Sequence, residues 1–278
     1  MSAPLHLAIG RTPRTEALFA PGQPFKLAPV ANISRAFAPM VREGAYEASE
    51  MAIATFIMAK AAGKPLVLLP AILSSRHPEA SFLTRADGPV RTVEALRGRR
   101  VGVRAYSQTT GLWLRGILAE AHGLPPEAMR WVTFEDAHLA EYQDPPWAER
   151  APPGSDMLAM LRDGRLDAAI FGNDTPQDAA FTPVFPDAAA AGRAFLARHG
   201  FMPLNHLLVA RTDVVATRAD ALADLLARLR ESGCPVPTRA ELDPALAVAA
   251  QYCHAQGLTP RLMTPSDVWD GTLAQLLS

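Results

Sequence analysis

The densest set of anion-holding groups is RAYSQTTG, residues 104–111, between the apolar strand pattern RVGV at 100–103 and a helical pattern beginning near Thr109 or Thr110. The first backbone N–H groups of a helix lack internal acceptors. Hydroxyls from Ser107, Thr109 and Thr110, with the Gln108 amide among them, can join those donors around a carboxylate or phosphate. Arg104 adds a full positive charge at the strand end. The same residues also read as an ordinary Ser/Thr cap, and both readings stay open. Two other segments have the form of a helix start. In YEASEMA, 46–52, Ser49 can cap and Glu50 falls in the first turn, where the helix dipole favours a carboxylate; otherwise Glu50 stands at a strand's carboxyl end, where α/β sheets place ligand groups. In IFGNDTPQD, 170–178, Asn173, Asp174 and Thr175 follow a strand and read either as ligand groups or as turn formers.

Proton transfer near neutral pH points to histidine. His138, in FEDAHLAEY, and His206, in MPLNHLL, each adjoin a predicted strand at an expected lobe junction, whereas His6, His77, His122, His199 and His254 read as surface or satisfied residues. Glu135, Asp136, His138 and Glu141 make a ligand-rich stretch, but no HExxH or closely spaced histidine pair occurs. The sequence therefore admits a divalent metal without implying one, and no cofactor is expected. GxxxxGK, GxGxxG and GxSxG are all absent, which removes the phosphate loop, the dinucleotide fingerprint and the hydrolase nucleophile elbow. Cys234 and Cys253 read as reduced bystanders.

These groups need a scaffold, and 278 residues suffice for one large or two modest domains. A hydrophobic content of 49% with 20% charged residues supports a packed core, and a net charge of -1 argues against a nucleic-acid binder that works by overall attraction. The most apolar segment, MAIATFIMAK, is too short to cross a bilayer, and no membrane association is expected. The start MSAPLHLAIG has neither a basic leader nor a long apolar run with a cleavage site, which gives a cytoplasmic expectation. Short apolar runs at LHLAIG, 24–30, 66–73, 100–103, 130–134, 166–171 and 206–210 alternate with helical patterns, as in an α/β protein with covered sheets. Met51–Lys60 and Leu112–Ala121 are apolar almost all round, and Leu222, Leu225, Leu226 and Leu229 form one helical stripe. The expected division is a discontinuous first lobe, 1–103 and 206–278, and a second lobe, 104–205, with a ligand cleft between them. The proline-rich stretch 142–154 is expected to be an irregular surface excursion.

The segments MVREGAYEASEMAIATFIMAKAAGKP, LRGRRVGVRAYSQTTGLWLRGILAEAHGL, FEDAHLAEY, MLRDGRLDAAIFG and FMPLNHLLV together resemble the 4,5-dihydroxyphthalate decarboxylase family over nearly the whole chain. The resemblance implies a two-lobed α/β fold like that of type II periplasmic solute-binding proteins. It also implies loss of one carboxylate from a hydroxylated aromatic dicarboxylate, giving protocatechuate and carbon dioxide. On that reading Arg104, Ser107, Gln108, Thr109, Thr110, Asn173 and Asp174 are substrate-binding candidates, Glu50 engages a catechol hydroxyl, and His206 donates a proton to carbon. His138 is the alternative donor, or a metal ligand with Glu50. The partner is a small aromatic carboxylate, and a homo-oligomer is compatible. The competing readings are a cytoplasmic solute-binding or sensor protein without catalysis, and an enzyme of the same fold acting on another aromatic or enolpyruvyl carboxylate.

Overall fold

The computed structural model describes residues 3–277. Its strands are β1 (Leu5–Ala8), β2 (Phe25–Leu27), β3 (Ala48–Ala52), β4 (Leu66–Ser75), β5 (Phe82–Arg85), β6 (Arg100–Val103), β7 (Arg130–Thr133), β8 (Ala148–Arg150), β9 (Ala168–Ile170), β10 (Phe181–Pro183) and β11 (Leu204–Arg211). Its α-helices are α1 (Phe37–Glu43), α2 (Ile53–Ala61), α3 (Thr109–His122), α4 (Met157–Arg162), α5 (Ala188–His199), α6 (Thr212–Thr217), α7 (Ala219–Glu231), α8 (Arg239–Ala255) and α9 (Pro265–Trp269). Two compact units emerge. One holds the residues up to Ser75, Leu204–His254 and those from Thr259 on; the other holds Arg76–Pro203 with Ala255–Leu258. The first boundary thus falls at Ser75 rather than at 103, because β5 and β6 both pair within the second sheet.

In the first unit the sheet order is β2-β1-β3-β11-β4, with β1 parallel to β2 and β3, and β11 antiparallel to both its neighbours. β3 is buried along its whole length, as expected for a strand covered on both faces. The leucine stripe of α7 is buried in one core cluster with Leu69 of β4 and Leu208 of β11, while Asp224 and Arg228 pair on the helix's outer side at 2.9 Å. The β11–β4 register is irregular near Pro70: Leu208 faces Leu69, Leu207 faces Ile72 and His206 faces Ser74. Proline cannot donate to a ladder, and the irregularities lie beside His206.

The second unit has the order β10-β5-β9-β6-β7-β8. The stretch 142–154 is not wholly irregular, since it carries β8 as an edge strand parallel to β7. A core cluster gathers Leu83, Val132, Leu161, Leu166 and Phe171. Among the described residues no helix is long and apolar enough to cross a membrane.

Glu79, in the short 3-10 turn Glu79–Ser81, is 0% exposed, and neither carboxylate oxygen has a hydrogen-bond partner among the described residues. Burial raises its pKa above the ordinary 4.5, only partly offset by its own backbone N–H. The folded chain therefore holds this proton more tightly than the unfolded chain. Stability falls as pH rises from the ordinary value to the raised one, and stays level beyond it. Glu79→Gln is expected to raise the Tm at pH 8 and to leave it nearly unchanged at pH 4, as measured by thermal unfolding; equal shifts at both pH values would assign the effect to packing.

Candidate functional site

The first unit carries a carboxylate–imidazole pair built by strand pairing. In the β3–β11 register Leu208 lies opposite Glu50 and His206 opposite Ala52, so Glu50 and His206 are diagonal neighbours on one face. Glu50 Oε1 lies 2.6 Å from His206 Nδ1, and Glu50 Oε2 accepts the Gly10 N–H at 2.9 Å. An ionised carboxylate can only accept, so Nδ1 is the donor of this pair and Nε2 is the ring's other, distinct nitrogen. Among the described residues Nε2 has no hydrogen-bond partner. The His206 ring meets Phe37, at the start of α1, edge to face with centroids 5.1 Å apart. The Glu50 side chain is 7% exposed and that of His206 15%. Gly10 allows a close approach: a Cβ there would lie 3.1 Å from Glu50 Oε2, so a larger residue would crowd the carboxylate. YEASEMA is not a helix start. Ser49 and Glu50 lie inside β3, Ser49 Oγ donates to the Glu50 carbonyl, and the helix begins only at Ile53.

The second unit gathers a polar group around the start of α3. Gln108, not a Ser or Thr, is the N-cap residue, and its side chain makes no capping bond. Ser107, Thr109 and Thr110 are buried. Arg76, which follows β4 directly, donates from Nη1 to Asn173 Oδ1 at 2.6 Å and from Nη2 to Thr110 Oγ1 at 3.2 Å. Asn173 and Asp174 sit in a turn rather than at a helix start, and Asp174 Oδ1 accepts the Gly172 N–H at 3.0 Å. Gln108 Nε2 lies beside Gly172, 3.3 Å from where a Cβ would stand. Arg104 is not part of this group; its guanidinium pairs with Glu135 at 3.2 Å.

His138 is half-buried in the irregular segment after β7, in the second unit, whereas Glu50 and His206 are in the first. The acidic stretch beside it is engaged elsewhere: Glu135 by Arg104, and Asp136 by Arg150. Among the described residues no group of three or more His, Cys, Asp or Glu side chains is placed to hold a metal ion. Arg76 escaped the sequence reading because it belongs to no motif; its partners stand 34 and 97 residues away.

Residues 34–143 match a family model described as NMT1/THI5 like, which covers less than half of the chain. The chain is 24% identical over 255 residues to a 4,5-dihydroxyphthalate decarboxylase of Comamonas testosteroni, spanning 84% of this chain and 74% of that protein. It is 29% identical over 137 residues to a 4,5-dihydroxyphthalate decarboxylase of Pseudomonas putida, spanning 46% of this chain and 53% of that protein. This is distant homology. Among solved structures, the alkanesulfonate-binding protein of Xanthomonas axonopodis pv. citri bound to MOPS superposes with a TM-score of 0.59 at 14% identity, covering 96% of this chain and 98% of that one. The periplasmic aliphatic sulphonate binding protein of Escherichia coli gives 0.55 at 15% identity, covering 94% and 84%. These likenesses show the fold: two α/β units of the type II periplasmic-binding-protein-like kind. They also correct the cytoplasmic expectation. Two of the structural relatives are described as periplasmic, and the start of the sequence settles nothing about location.

Proposed function

We propose that this chain decarboxylates a hydroxylated aromatic carboxylate, with 4,5-dihydroxyphthalate as the first substrate to test, and that His206 supplies the proton to the ring carbon. Distant homology to two proteins of that name supports the reaction class. The observation that carries the assignment of His206 is its 2.6 Å contact with Glu50, which engages Nδ1 and leaves Nε2 for proton transfer.

Direct expulsion of carbon dioxide from an aromatic carboxylate would leave an electron pair in the ring plane, where the π system cannot delocalise it. Protonation first avoids that species. A phenolate para to the carboxylate pushes a pair into the ring, a C–H bond forms at the carboxyl-bearing carbon, and the Nε2–H bond of the imidazolium breaks. The dienone so formed loses carbon dioxide, and the C–C bonding pair restores the aromatic ring and the phenolate. His206 then regains a proton from solvent, so one proton enters for each carbon dioxide released. Glu50, with both oxygens already accepting hydrogen bonds, is better suited to hold the imidazole than to deprotonate a catechol hydroxyl. Its role is that of a positioning residue.

The test is incubation of the protein with 4,5-dihydroxyphthalate and a panel of hydroxybenzoates, with and without chelator, following carbon dioxide and the ring product. Stoichiometric release of both is the expected result. Binding without release across the panel would leave the second reading, a binder of small organic anions, which the sulfonate-binding structures of the same fold support.

A further inference from the structure

Arg76 is a half-buried guanidinium held only by neutral groups. Of its five N–H bonds, one goes to the Asn173 amide oxygen and one to the Thr110 hydroxyl. Nε is enclosed and has no acceptor. Among the described residues no carboxylate forms an ion pair with it; Asp174 acts through space and spends one oxygen on the Gly172 N–H. Burial pulls its pKa down, the sign of a charge that lacks close compensation. Near it, beside Gly172, lies the Gln108 amide, whose Nε2 can donate to an anion, while its enclosed oxygen, an acceptor, has no partner. The Thr110 hydroxyl accepts from Arg76, so its own proton is available to a ligand.

We propose that Arg76, Thr110, Gln108 and Asn173 form a carboxylate-binding site in the second unit, with Arg76 as the planar fork and Arg104 outside it. The inference rests on the reading that the ligand is an organic acid, and it names the group that holds it. One cation with one acidic side chain, Asp174, nearby suits a monoanionic group better than a phosphate dianion. A planar carboxylate also matches the guanidinium fork better than a tetrahedral sulfonate does.

The test is titration calorimetry of the full chain with benzoate, phthalate and benzenesulfonate. Arg76→Gln is expected to weaken benzoate and phthalate binding about 10–100-fold, as loss of charge-assisted hydrogen bonds does. Arg104→Gln is expected to change it by no more than about twofold, since its exposed partner is Glu135. Asn173→Asp supplies an internal carboxylate to the same guanidinium and is expected to abolish binding while keeping the fold, which covers the case in which Arg76→Gln fails to fold. Wild-type affinity in a folded Arg76→Gln or in Asn173→Asp, no binding of any of the three acids to the wild type, or tighter binding of benzenesulfonate than of benzoate would each overturn the assignment. The site and the decarboxylase reading fail separately: Arg76-dependent binding without carbon dioxide release sinks only the reaction, whereas unaltered turnover in Arg76→Gln sinks only the site.

Discussion

His206→Asn is expected to lower kcat by about 10²–10⁴-fold, the usual loss on removing a positioned general acid, and to leave substrate Kd within a few-fold. Asparagine keeps a side-chain N–H for Glu50 but has no proton to give to carbon. Glu50→Gln should act on the same step by a different route. The Gly10 N–H requires an acceptor, which draws the new amide oxygen towards it and turns the amide NH₂ towards His206 Nδ1. Nδ1 must then accept, the neutral imidazole carries its proton on Nε2, and the imidazolium loses its counter-charge. The two substitutions are therefore expected to be non-additive, with the double variant little slower than His206→Asn alone. Single-turnover carbon dioxide release measures the chemical step, and ¹⁵N chemical shifts of the imidazole report the tautomer, which a merely structural change would not reverse. Wild-type release from His206→Asn, with loss in His138→Asn, would move the acid to the second unit.

Much of the scaffold was legible because apolar runs, once bounded by turn residues, have few alternatives. RVGV and HLLVA fall wholly in strands, LHLAIG and RWVTF do so over LHLA and RWVT, and the stripe from Leu222 to Leu229 lies in a helix. Failures came where local chemistry was ambiguous. Ser49–Glu50 has the residue types of a helix start, yet pairing with both β1 and β11 commits it to a buried strand, a non-local effect that outweighs propensity. β8 is three residues long, pairs with one neighbour and is flanked by prolines, so no periodicity could announce it. The unit boundary after Ser75 has no glycine or proline at the junction itself, since β4 runs directly into Arg76 and Pro78 comes only three residues after Ser75. The candidate site was legible residue by residue but not as contacts. Glu50 and His206 stand 156 residues apart, and only the antiparallel insertion of β11 beside β3 brings them together.

Arg115→Ala is expected to cost about 3–5 kcal/mol of unfolding free energy, the sum of a side-chain cavity and two buried acceptors left unpaired. Arg115 lies in α3 and is 0% exposed. Its Nε donates to Gln256 Oε1 at 2.6 Å and its Nη2 to the Tyr106 carbonyl at 2.5 Å. The guanidinium is stacked over Tyr106 at 4.0 Å and Trp131 at 5.1 Å from the ring centres. Gln256 in turn donates to the Leu112 carbonyl at 2.8 Å, so one arginine ties the helix, the Ala255–Leu258 segment and the turn before the helix into one network. Gly111 leaves room for it, since a Cβ there would lie 2.9 Å from Arg115 Nη1. Arg115→Lys should recover little, because an ammonium cannot reach both acceptors in a fixed fork or stack as a plane. Urea denaturation followed by tryptophan fluorescence measures the loss directly, with Trp131 as the reporter beside the guanidinium. A change below about 1 kcal/mol, the value of one ordinary hydrogen bond, would show that the network contributes no more than its bulk. Because Thr110 stands five residues before Arg115 on the same helix, a loosened α3 should also weaken carboxylate binding in Arg115→Lys, even where the chain remains folded.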